Sequence, residues 1–92
     1  MLSFDVEKFQ PVSVVFPSYR KYKNNASYFK IYSLERFDEI RVIGDKYYLH
    51  VFEAKILPDR NLVQDLLYSF KENCDEISEP EYDAALARTG AG

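Results

Sequence analysis

The sequence predicts an α+β domain: an antiparallel sheet of three to four strands, then two C-terminal helices packed on one face of it. Three observations carry that expectation. Short β-branched or alternating segments fill residues 11–55, two segments with helical spacing follow them, and the two kinds never alternate as βαβ units would. A chain of 92 residues is read as one domain, because two would leave neither half enough apolar surface for a core.

In chain order, Leu2, Phe4 and Val6 alternate as an edge strand would, so residues 1–10 read either as such a strand or as a flexible arm. "PVSVVF" (11–16) is a β-branched strand, with Pro11 suited to its first position and Pro17 ending it. Residues 17–26 are polar and read as a loop turning at Asn24-Asn25. "SYFKIYS" (27–33) alternates, Phe29 and Ile31 against Tyr28, Lys30 and Tyr32, and "SLERF" (33–37) reads as a tight turn that Ser33 could cap.

The strongest local signal is a hairpin of strands 39–43 and 46–55 around Gly44-Asp45. Glycine at the first central position supplies the positive φ of a two-residue type II′ turn. The register follows: Ile43 faces Lys46, Val42 Tyr47, Arg41 Tyr48, Ile40 Leu49 and Glu39 His50. One face carries Ile40, Val42, Tyr47, Leu49 and Val51, the other Glu39, Arg41, Tyr48 and His50. Past Val51 the alternation breaks at Phe52, Ala54 and Ile56, which predicts a β-bulge there in preference to cover on both sides.

Helix 60–73 begins after Asp59 as N-cap and places Leu62, Val63, Leu66, Leu67 and Phe70 on one stripe. Helix 79–89 has a Ser78-x-x-Glu81 capping box, an Ile77–Tyr82 staple and Gly90 as its stop, with Tyr82, Ala85 and Leu86 packing inward.

Hydrophobic content of 47%, with 16% Phe and Tyr, excludes a disordered chain. One cysteine excludes an internal disulfide and a cysteine-built zinc site, and fits a reducing, cytoplasmic setting. No stretch approaches a membrane span, and "MLSFDVEKFQ" has neither the basic start nor the apolar run of a secretory signal. The net charge of −3 is uneven: residues 1–34 sum to +3 and residues 35–92 to −6. A local basic patch on an acidic protein follows, or two copies that meet basic part to acidic part.

The search for chemistry leaves few candidates. His50, the only histidine, faces Glu39, which supplies an imidazole–carboxylate pair, but Ser13, Ser18, Ser27, Ser33, Ser69 and Cys74 sit in no nucleophile motif. Cys74 lies among Glu72, Asp75 and Glu76, whose charge opposes thiolate formation. Acid at 75–76 and 79–81 has no EF-hand spacing and is explained by helix capping, and the glycines form no phosphate loop. No metal or cofactor is expected.

One stretch stands out for binding. "YRKYKNNASYFK" (19–30) interleaves Arg20, Lys21, Lys23 and Lys30 with Tyr19, Tyr22, Tyr28 and Phe29 and has no acid, as single-stranded nucleic-acid binders require. "DKYYLHVFEA" has the aromatics of an RRM signature without its glycines, and no helix-turn-helix pattern is present. The candidate binding surface is therefore Arg20, Lys21, Tyr22, Lys23, Tyr28, Lys30, Tyr32, Arg41, Tyr48 and His50, taken as one wet sheet face beside a basic loop. The leading expectation is a small non-enzymatic protein-interaction module, self-associating as a homodimer through that tyrosine-rich face. Single-stranded nucleic-acid binding through 19–30 is the alternative, and an enzyme using His50 with Glu39 the third.

Overall fold

A computed structural model describes residues 15–90. Strands β1 (Ser18–Tyr22), β2 (Ser27–Ser33), β3 (Arg36–Ile43) and β4 (Lys46–Glu53) form a meander. Helix α1 (Leu57–Tyr68), strand β5 (Cys74–Glu76) and helix α2 (Glu79–Ala87) follow. The sheet has five strands in the order β4-β3-β2-β1-β5, every neighbouring pair antiparallel. The class is α+β, as expected, with one more strand than the upper count.

Local chemistry explains the turns. Asn25 adopts φ 62° between β1 and β2, where the Asn24 side-chain carbonyl accepts from the Ala26 N–H. Gly44, at φ +66°, makes the β3–β4 turn, and all five expected residue pairs of that hairpin are found. The Ser33 hydroxyl accepts from the Glu35 N–H in the turn between β2 and β3, so Arg36 and Phe37 already belong to a strand. The Ser78 hydroxyl accepts from the Glu81 N–H, as a capping box requires, and Ile77 packs on the cluster that holds Tyr82.

The elements depart from expectation in several places. Of the strand expected over 11–16, only Val15 and Phe16 fall among the described residues, and neither is in a strand; residues 1–10 lie outside them. β1 forms where a loop was read, because Tyr19 and Lys21 alternate with the inward-facing Ser18 and Arg20. Helix α1 starts three residues earlier than expected and has Ile56, not Asp59, at its N-cap. Pro58 sits in the first turn, where its missing N–H leaves nothing unpaired. It also ends earlier: the Phe70 carbonyl accepts from the Asn73 and Cys74 N–H groups, and the chain turns there into β5. Helix α2 stops at Ala87, two residues short of expectation, and Gly90 follows at φ +82°.

The bulge expected past Val51 is absent, and a different one, not expected, lies on β2. β3 and β4 pair without interruption from Arg36↔Glu53 to Ile43↔Lys46, whereas β2 is irregular between Ile31 and Ser33. One extra residue at Tyr32 shifts the β2–β3 register by one, and a one-residue shift exchanges the faces of a strand. Ser33 pairs Arg36, and continuing that step would set Phe29 against Ile40. The bulge instead sets Phe29 against Glu39 and Tyr28 against Ile40.

Both faces of the sheet are consequently apolar in part, and each takes its own helix. The two helices do not share a face, contrary to the expectation. Helix α1 covers Phe29, Ile31 and Phe37 with Val63, Leu66 and Leu67, and Cys74 joins this core. Helix α2 covers Ile40 with Tyr82 and Ala85, flanked by Tyr19, Tyr28, Tyr47 and Leu49. Phe52 and Ala54 need no bulge, because they meet the α1 core with Phe37 stacked 4.9 Å from Phe52. Helix α1 enters from the β4 edge and ends over β1, where the Leu66 carbonyl accepts from Arg20. That leaves the turn end of β3–β4 uncovered on the α1 side, where Arg41 and Tyr48 are exposed.

Candidate functional site

The ten candidate residues do not form one surface. Tyr28, Lys30 and Tyr32 stand on the α2 side with Lys21, and Arg41, Tyr48 and His50 on the α1 side with Arg20 and Tyr22. The bulge at Tyr32 causes this division. Without it Tyr28 would share a face with Arg41; with it Tyr28 sits opposite Ile40.

Most of the basic stretch is spent on the chain's own fold. Arg20 is 6% exposed: Nε donates to the Leu66 carbonyl at 2.8 Å, Nη1 donates to the Tyr19 carbonyl at 2.9 Å, and Cζ lies 4.0 Å from the Phe70 ring centre. Burial lowers its pKa, and Glu76, 3.9 Å away, partly offsets that. The Leu66 carbonyl is among the last four of α1, which have no partner within the helix, so Arg20 acts as its cap. Lys21 pairs with Glu81 at 3.1 Å and Lys23 with Asp75 at 2.8 Å. The hydrogen bond to Glu81 raises the pKa of Lys21. The acidic C-terminal part and the basic part do meet, within one chain.

The tyrosines of the stretch are also engaged. Tyr22 meets Phe29 edge-on at 5.1 Å, and Tyr28 lies 6.4 Å from Tyr47 under α2. Lys30 lies 5.0 Å from the Tyr32 ring and 5.8 Å from that of Tyr19. Tyr32 donates its hydroxyl to Asp38 at 2.8 Å, and burial, with that bond, raises its pKa to about 12. Burial raises the pKa of Tyr82 as well, and among the described residues neither its hydroxyl nor Oδ1 of Asp38 has a hydrogen-bond partner.

His50 and Glu39 are opposite each other in the β3–β4 ladder, as the register predicts. Their side chains are not joined. The Glu39 carboxylate, 6% exposed, accepts from the Ser27 hydroxyl at 2.6 Å and from Arg41 at 3.4 Å, while the His50 ring lies 6.2 Å from Phe52. Cys74 is buried in β5 rather than at a helix end, and desolvation is the main reason its pKa rises. Among the described residues no group of three or more His, Cys, Asp or Glu side chains is placed to hold a metal, and no helix is long and apolar enough to cross a membrane.

Large exposed hydrophobic side chains lie at several places, among them Ile43, Ile56, Leu57 and Tyr68, and two lie on β4. Tyr48 is 44% exposed on the α1 side, next to Arg41 and His50, and Val51 is 58% exposed on the α2 side. Among the described residues β4 is also an edge strand, eight residues long, whereas the other edge, β5, has three residues, two of them acidic. Tyr48 and His50 belong to the candidate surface expected from the sequence, whereas the edge position of β4 was not expected, since strand order is not written in the alternation of one hairpin. Compared with known proteins, the chain matches no family model, no curated protein and no solved structure.

Proposed function

We propose that this chain is a small non-enzymatic protein-interaction module whose contact surface is the β4 margin, with another copy of itself as partner. The observation that carries the reading is the position of Tyr48, beside Arg41 and His50 and outside the cover of both helices. Tyrosine and arginine give large contact area with a polar tip, the composition found at contact hot spots. A wider tyrosine face is no longer part of the proposal, because Tyr28 and Tyr32 serve the α2 side. A reducing, cytoplasmic setting belongs to the reading, since the one cysteine is free and buried.

Nucleic-acid binding through 19–30 is the weaker reading: Arg20 is buried, and Lys21 and Lys23 carry acidic partners. It would also require a pronounced loss of affinity with salt. Light scattering across a concentration series tests the proposal. The wild-type chain should show a mass rising to two chains, and Tyr48→Ala should weaken that association about tenfold, the loss of a contact worth about 1.4 kcal/mol, with unchanged circular dichroism. Equal association by the variant would remove Tyr48 from the contact, and a single-chain mass at every concentration would end the self-association reading.

A further inference from the structure

The backbone of β4 is as informative as its side chains. The Ala54 N–H donates to the Glu35 carbonyl at 2.6 Å, and Ile43 and Lys46 close the two-residue turn at the other end. In an antiparallel ladder, bonded and non-bonded residue pairs alternate. Lys46, Tyr48, His50 and Phe52 therefore turn their N–H and C=O groups toward β3. Tyr47, Leu49, Val51 and Glu53 turn theirs outward, to no strand among the described residues.

Edge strands are ordinarily defended by proline, a bulge, an inward charge or short length. β4 has none of these between Tyr47 and Phe52: its register is unbroken and its only permanent charges, Lys46 and Glu53, are at its ends. We infer, resting on the self-association reading, that β4 pairs antiparallel with β4 of a second copy, joining two five-stranded sheets into one.

The register follows from two conditions. Residues facing each other across the two-fold axis must lie on the same side of the sheet, and the outward N–H and C=O groups must meet each other. Pairing Leu49 with Val51, Tyr47 with Glu53 and His50 with His50 meets both conditions and forms about eight N–H···O bonds. Of the two neighbouring same-side registers, one sets Leu49 against itself and leaves Glu53 facing the turn residue Asp45, like charge to like, and the other sets Val51 against itself and leaves Tyr47 facing Lys55 beyond the strand; each has about two bonds fewer. The first register also covers Val51 with Leu49 and Tyr48 with Phe52, closing over the two bare side chains at this margin.

Val51→Pro tests this directly. Its N–H points away from β3, so proline there leaves the intramolecular ladder whole while removing a donor and filling the edge. Val51→Lys, which keeps the N–H but sets a charge against Leu49, is the companion variant should proline disturb folding. Light scattering should show two chains for the wild type and at least a tenfold weaker association for each variant, with circular dichroism unchanged.

His50→Cys gives the register. On the two-fold axis its Cα atoms would be about 4.5 Å apart, a non-bonded pair within the roughly 4.4–6.8 Å span of a disulfide. Oxidation should link two chains at least ten times faster than in Tyr48→Cys, whose neighbour is Phe52; native Cys74 is buried and silent. A wild-type dimer that Val51→Pro and Val51→Lys leave intact overturns edge pairing and leaves the module reading standing. Faster linkage in Leu49→Cys than in His50→Cys overturns the register, and a wild-type single chain overturns both proposals.

Discussion

Replacing Arg20 by alanine separates a structural arginine from a phosphate-binding one. The side chain is 6% exposed, donates to the Leu66 and Tyr19 carbonyls at 2.8 and 2.9 Å, and stacks 4.0 Å from the Phe70 ring centre. A hydrogen bond from a charged group contributes about 1.5–3 kcal/mol. The cation–π contact, partly desolvated, adds about 1–2 kcal/mol. Against these, alanine removes a charge whose burial is unfavourable, which is also why burial lowers the pKa of Arg20. The net expected loss is about 2–4 kcal/mol, or a fall of roughly 10–25 °C in Tm for a domain of this size. Arg20→Met keeps the stem over Phe70 and should lose about half as much. Urea unfolding followed by circular dichroism measures both variants. A loss under about 0.5 kcal/mol for Arg20→Ala, the range of ordinary surface substitutions, would refute the assignment of Arg20 as the cap of α1.

Tyr82→Phe should be neutral or stabilising by up to about 1 kcal/mol, because the hydroxyl is buried with no partner among the described residues, and a loss above that amount in urea unfolding would mean it is bonded in solution. Stability should also fall in alkali. Tyr32 holds its proton to about 12 in the fold against 10.0 when free, and Tyr19, Tyr22 and Tyr82 shift the same way. The folded state then binds more protons than the unfolded one, so the contribution is full below pH 10 and is lost as the pH rises through 12. Thermal midpoints from pH 8 to 11.5 should therefore drop above about 10 and drop less in Tyr32→Phe, and a flat profile would contradict the burial of Tyr32, with its bond to Asp38, as the cause.

The architecture was legible wherever a local rule sets it. Gly44-Asp45 fixed the turn and thereby the β3–β4 register, residue for residue, because a two-residue hairpin leaves no freedom of pairing. Ser78 marked the start of α2 because its hydroxyl accepts from the Glu81 N–H at a helix end that leaves such donors unpaired. The stripe of Val63, Leu66 and Leu67 foretold the buried side of α1 because helical spacing puts those positions on one face. Boundaries were less legible where the chain only changes direction: nothing near Phe70 signals that α1 must stop so that Cys74 can reach β1.

The candidate surface failed at one residue. The sequence by itself determines the alternation of each strand and the pairing across a tight turn. It leaves open whether a ladder carries an extra residue, because a bulge depends on how the two strands twist and pack. Tyr32 is that residue, and its insertion turned Tyr28 and Lys30 to the side opposite Arg41 and His50. Two apolar half-faces resulted where one was expected, and only the tertiary structure could give each its own helix. Strand order, the burial of Arg20 under α1 and the place of β4 at the edge of the described sheet follow from that packing, since each depends on contacts between segments far apart in the chain.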